Sequence, residues 1–139
     1  MSEIKLQSDI VREFSRLYPQ KRGQLFHVSN ERNNKIQAFQ ARAIGIFTGV
    51  CDFLFMEGFG MAGIELIGIE IKEPGSYHKR EHIEQQVKWA KTLVNCGGYW
   101  RLCRSVEEAI SCTEFNLKGL TIQDVEKMLS EQKTKSIKF

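Results

Sequence analysis

Asp52-Phe53-Leu54-Phe55-Met56 and Ile64-Glu65-Leu66-Ile67-Gly68-Ile69-Glu70-Ile71-Lys72 are two apolar, strand-like runs, separated by Glu57-Gly58-Phe59-Gly60-Met61-Ala62-Gly63. Branched and aromatic residues suit a pleated chain, and a glycine-rich link between two such runs lets them fold back as an antiparallel hairpin. Pro74-Gly75 ends the second run, because proline has no N–H to give to a ladder. Alternation along the second strand sends Ile67, Ile69 and Ile71 to one face and Gly68, Glu70 and Lys72 to the other. A carboxylate and an ammonium therefore share a sheet face, with Gly68 leaving room beside them for a ligand.

Upstream, Ile10, Phe14 and Leu17 recur at i, i+4 and i+7, which predicts an amphipathic helix over residues 2–18 with Ser2 as N-cap and Pro19 as its stop. Residues 24–28 predict a short strand, 29–34 a polar turn, and 36–49 either a short helix or an irregular crossing. Downstream, a helix over residues 80–95 stops at Gly97-Gly98, and residues 99–104 form another strand. Ser105 caps a helix to about Cys112, and Thr121 with Asp124 makes a capping box for a last helix to about Gln132. The order αβββαβ predicts an α/β fold, a central mixed sheet of about four strands flanked by helices, with an extra C-terminal helix. Residues 1–112 are expected as the main domain, and residues 113–139 as a C-terminal helix and basic tail outside it.

A chain of 139 residues, 42% hydrophobic and 27% charged, can bury a core of its own. It has no apolar run near the roughly 20 residues needed to span a bilayer, and Met-Ser-Glu-Ile-Lys lacks a secretory signal's apolar stretch, so a soluble, intracellular protein is expected. Cys51, Cys96, Cys103 and Cys112 form no C-x-x-C pair, which argues against a zinc knuckle or a disulfide framework and for reduced, mostly buried thiols. The net charge of +3 does not by itself identify an anionic partner. Local clusters are more informative, and Arg32, Lys35, Lys79 and Arg80, with the polar Asn30, are candidates to meet phosphates.

Asp52 opens the strand next to Glu70, so the two carboxylates can converge on one divalent cation. Together with a main-chain carbonyl, that of Ile71, they offer the oxygen donors that Mg²⁺ or Mn²⁺ prefers. Lys72, one pleat on, is placed to orient or deprotonate an attacking water. On the helix over residues 80–95, Ile83, Val87, Ala90 and Val94 form the apolar face, Gln86 falls at its edge, and Gln85 lies on the charged side. A glutamine on a packing face needs partners, which makes Gln86 either a water-positioning group or a satisfied amide. Glu3 lies on the same side of the first helix as Ile10 and either reaches the site or complements the helix dipole.

Taken together, Glu3 with Leu6-Gln7, Tyr18-Pro19, Asn30-Glu31, Gly45 leading to Gly49-Val50-Cys51-Asp52, Glu70-Ile71-Lys72, Gln86-Val87-Lys88-Trp89 with Leu93, Cys96-Gly97-Gly98 and Ser105-Val106-Glu107-Glu108-Ala109 resemble the VRR-NUC domain. That family is a branch of the PD-(D/E)XK nuclease superfamily, and the resemblance spans about residues 3–110. It implies a restriction-endonuclease-like core in which Asp52 and Glu70 bind Mg²⁺ or Mn²⁺, Lys72 is the catalytic lysine, Gln86 is the associated glutamine and Glu3 is a further acid. It also implies a bacterial or phage endonuclease of repair type, cytoplasmic and homodimeric, acting on branched DNA in the manner of a Holliday-junction resolvase. Cys51 stands where a proline often precedes the aspartate.

Two other readings stay open. His78-Lys79-Arg80-Glu81-His82 is a literal H-x-x-E-H string, the pattern of inverted zinc peptidases, although it follows Pro74-Gly75 and its first histidine falls near the helix start. The other is a nucleic-acid-binding module of the same fold without catalysis.

Overall fold

The computed structural model describes residues 2–28, 40 and 48–139. Ser2 accepts the Lys5 N–H and starts helix α1 (Glu3–Leu17), which buries Leu6, Ile10 and Phe14; Leu17, in the last turn, stays exposed. A single 3₁₀ turn at Pro19–Lys21 redirects the chain into strand β1 (Leu25–His27). The hairpin follows as strand β2 (Phe53–Gly58) and strand β3 (Ile64–Ile71), antiparallel, with Phe53 opposite Ile69 and Gly58 opposite Ile64. Helix α2 (Arg80–Asn95) then carries the chain back, so that strand β5 (Tyr99–Cys103) lies parallel to β3, as a helical crossover requires. The sheet order is β1-β2-β3-β5. This is a mixed α/β architecture with a four-stranded mixed sheet and helices on both faces.

Because both faces are covered there, β3 is buried on both sides from Ile67 to Ile71. Ile67, Ile69 and Ile71 join Phe53 and Phe55 in a core with Leu6, Ile10 and Phe14 of α1 and with Ala109, Ile110 and Cys112 of helix α3 (Val106–Thr113), which Ser105 caps. On the other face Trp100 and Leu102 pack beneath Ile83, Val87, Ala90 and Leu93 of α2. Leu93, not Val94, completes that stripe: a Cβ on Gly68 would stand 2.8 Å from Leu93 Cδ2, and one on Gly98 2.6 Å from Leu93 Cδ1. Gly68 is therefore a recess for a packing side chain, and the space expected beside Glu70 for a ligand is filled by Leu93, Cys51 and Trp100.

The C-terminal segment, expected outside the main body, is built into this second core. Thr121 and Asp124 form the expected capping box for helix α4 (Ile122–Glu131), and Ile122 and Val125 are buried among α2 and β5 residues. The basic tail forms strand β6 (Ser136–Lys138), antiparallel to strand β4 (Tyr77–Lys79), and buries Ile137 and Phe139. Arg80 sits between these parts. Its guanidinium donates to the carbonyls of Leu129 and Thr134 at 2.8 Å each and to that of Gln132, and so ends α4 with a cation where the helix dipole is negative. Among the described residues no helix is long and apolar enough to cross a membrane. All four cysteines are free, with Cys51, Cys103 and Cys112 buried.

Candidate active site

Glu70 lies on β3 with its side chain on the α2 face, only 2% exposed. The β2–β3 register, carried one residue past Phe53, sets Asp52 opposite it. Asp52 is fixed from both sides: its main-chain carbonyl accepts the Val28 N–H at 2.8 Å, and its Oδ2 accepts the Ile71 N–H at 2.7 Å. In an extended strand the N–H and C=O of one residue point to the same side, so the Ile71 carbonyl faces the Asp52 edge as well. Asp52, Glu70 and the Ile71 carbonyl thus occupy one end of the hairpin, where the sequence puts them.

A glycine makes this approach possible. Gly49 takes φ +90°, and a Cβ there would lie 2.6 Å from the Gln85 carbonyl oxygen and 2.7 Å from its carbon. Backbone meets backbone in that contact, and only glycine permits it. The chain can then run close along α2, bury Cys51 with its Sγ donating to the Phe53 carbonyl at 2.9 Å, and deliver Asp52 to the sheet.

Glu70 Oε1 takes two donors, Lys72 Nζ at 3.4 Å and Gln86 Nε2 at 3.3 Å, whereas its Oε2 is buried and takes no donor from Lys72, Gln86 or any other of the described residues. Burial first, and then the adjacent Asp52 carboxylate, hold the Glu70 carboxyl well above its ordinary range, with Lys72 opposing them. Glu3 is shifted upward too, chiefly by burial; Lys72 opposes the shift, and Asp52 and Glu73 add to it. These acids border a cavity of about 510 Å³ that runs from the start of α1 (Glu3, Gln7) past Asp52 and Glu70 to the first turns of α2 (His82, Gln86).

The buried Oε2 is the observation against which a cation can be tested. A carboxyl oxygen beside a second acid, without a donor among the described residues, fits a small hard cation that would displace a proton and share both acids and the Ile71 carbonyl. Among the described residues no group of three or more His, Cys, Asp or Glu side chains converges as a metal site, so Glu3 does not complete a three-carboxylate set and stands as a wall of the cavity.

Lys72 is 4% exposed and donates to Glu70 Oε1, so it holds that carboxylate in place from behind the cavity wall that Glu3 and Glu70 form. Several other expected residues take different roles. Arg80, expected on phosphates, is engaged by the carbonyls of Leu129, Gln132 and Thr134 at and beyond the end of α4; Lys79 is exposed; Asn30, Arg32 and Lys35, with the expected turn at 29–34 and most of the crossing at 36–49, lie outside the described residues. Gln85, assigned to the charged side of its helix, borders the cavity beside Gln86, because the Gly49 turn packs over it. The H-x-x-E-H string is divided: His78 is in β4, its Nε2 2.8 Å from Ser76 Oγ and its ring against Phe139, whereas His82 is in α2. His27 and His82, which border the cavity, were not foreseen at this site; for His82 the signal was its place one helical turn before Gln86.

The chain matches no family model, no curated protein and no solved structure.

Proposed function

We propose that the chain is a divalent-cation-dependent endonuclease with a restriction-endonuclease-like core, hydrolysing phosphodiester bonds of DNA, with branched or junction DNA as its preferred substrate and a homodimer as the form that makes paired cuts. One observation carries the reading: a buried acid, Glu70, keeps one oxygen without a donor among the described residues, beside a second acid, and both border one cavity. The VRR-NUC resemblance supports it, because it calls for acids at these two strand positions.

Asp52, Glu70 and the Ile71 carbonyl would hold Mg²⁺ or Mn²⁺. Such an ion polarises the phosphoryl group and makes water acidic enough to attack at neutral pH. Asp52 holds its place through the Ile71 and Val28 amides, and Lys72 with Gln86 orients Glu70 through Oε1, leaving Oε2 toward its acidic neighbour. Exposed cations such as Lys79 would meet the DNA backbone, so binding should weaken as salt rises.

The test is cleavage of labelled linear, flap and four-way DNA with Mg²⁺ and with Mn²⁺, run beside a sizing measurement. Asp52→Ala is expected to abolish cleavage while binding to branched DNA persists, and Lys72→Ala to impair cleavage by releasing Glu70. Full activity of Asp52→Ala would remove the centre.

A further inference from the structure

We propose that His82 is the proton acceptor for the attacking water, an assignment that rests on the phosphodiesterase reading above. The amine expected in that role is already engaged: Lys72 is buried and donates its ammonium to Glu70 Oε1. His82 has the opposite character: it is exposed, borders the cavity and takes no hydrogen bond among the described residues. Imidazole is also the side chain whose ordinary proton affinity lies nearest neutral pH, as an acceptor for water requires.

Helix geometry sets its reach. His82 and Gln86 are four residues apart on α2, so their Cβ atoms lie about 5–6 Å apart on one helix edge. Gln86 Nε2 is bonded to Glu70 Oε1, and the His82 imidazole, one turn away on that edge, borders the same cavity as Asp52 and Glu70. The other imidazole at the cavity, His27, enters from β1 with its ring edge against Phe53, on the face of the sheet opposite Gln86.

In the step itself, a lone pair of the water oxygen forms the new P–O bond while one of its protons passes to the free imidazole nitrogen of His82. The ester P–O bond breaks, its electron pair leaves on the alkoxide oxygen, and that oxygen takes a proton from solvent. His82 then returns its proton to solvent, and the products are a phosphate monoester and a hydroxyl end.

The experiment is single-turnover cleavage by wild type and by His82→Ala, with and without added imidazole, together with Mn²⁺ affinity by electron paramagnetic resonance and circular dichroism as a check of the fold. Because His82 is exposed, the variant should fold. Its rate should fall about 100-fold or more, recover in a saturable way with imidazole, and leave Mn²⁺ affinity unchanged. An undiminished rate, a loss that imidazole does not restore, or a loss of Mn²⁺ binding would each overturn the assignment. If wild type cuts and binds Mn²⁺ while His82→Ala cuts equally fast, only the role of His82 falls; if wild type cuts nothing, the phosphodiesterase reading falls with it.

Discussion

Replacing Gly49 by alanine tests whether the close passage of the chain along α2 is what delivers Asp52. Gly23 supplies a matched reference, since its φ is +91° against +90° at Gly49 but a Cβ there meets nothing within 4 Å. Alanine at Gly23 bears only the left-handed backbone, about 1–2 kcal/mol. At Gly49 the same backbone cost applies, and the added Cβ falls 2.6 Å from the Gln85 carbonyl oxygen, inside a helix interior that cannot yield as a flexible side chain would. Overpacking of this kind adds about 1–3 kcal/mol. For a chain of 139 residues each kcal/mol moves the melting temperature by about 3–4 °C. Gly23→Ala should therefore melt about 3–8 °C below wild type, and Gly49→Ala several degrees lower again. Differential scanning calorimetry measures the pair, and Mn²⁺ titration of the folded proteins supplies the second readout, which only Gly49→Ala should weaken. Equal melting losses, or unchanged Mn²⁺ affinity in Gly49→Ala, would refute the delivery argument.

Glu70→Gln keeps the shape of the side chain and removes the charge, so it should fold but lose the thermal stabilisation that Mn²⁺ gives wild type, about 2.7 kcal/mol at a metal concentration 100 times Kd; thermal melts with and without Mn²⁺ decide it. Arg80→Ala should lower stability by about 2–3 kcal/mol through the three carbonyls it leaves without their donor, while the salt dependence of DNA binding, read by anisotropy, stays as in wild type. Burial, reinforced by Lys72, holds the His78 imidazole down at about 4, with Asp52 opposing and His82 adding to the shift. The unfolded chain therefore takes up a proton near pH 6.5 that the fold refuses until about pH 4, so stability should fall as pH drops through that window. Urea midpoints for wild type and His78→Gln measure this, and the variant's profile should be flatter there.

What could be read from the chain was what is encoded locally. Ser2, Ser105 and the Thr121/Asp124 box start their helices, and Gly97-Gly98 stops α2, because a cap needs only its own neighbours within three or four residues. The hairpin was legible because its link is short. Strands β4 and β6 were not: each is three residues long, too short to show a period, and each pairs with a segment far away in the sequence, Tyr77 with Lys138. Arg80 misled for the same reason, since its carbonyl partners lie about fifty residues on and a basic residue at a helix start looks like any surface charge. Alternation placed Glu70 and Lys72 on one face correctly, yet it could not show that α2 covers that face. The burial of both side chains, 2% and 4% exposed, comes from that long-range packing and has no local signal.

The burial of Lys72 sharpens the argument about Glu70. A buried ion pair that served only stability would be expected to satisfy both carboxylate oxygens, since an anionic oxygen without a donor in a low-dielectric interior is costly. Here Lys72 and Gln86 both go to Oε1, and among the described residues what stands beside Glu70 is not a further donor but a second acid, Asp52, itself held in place by two backbone amides. Among these residues one ammonium faces two acids, and the excess is negative. Protonation or a cation relieves it, and the upward shift of the Glu70 carboxyl is the form that strain takes when protons are the available cation. A divalent ion would compete for the same place, so its binding should displace a proton. The cavity gives such an ion a way in, and the rigidity of a strand buried on both faces keeps the two acids from moving apart to avoid each other.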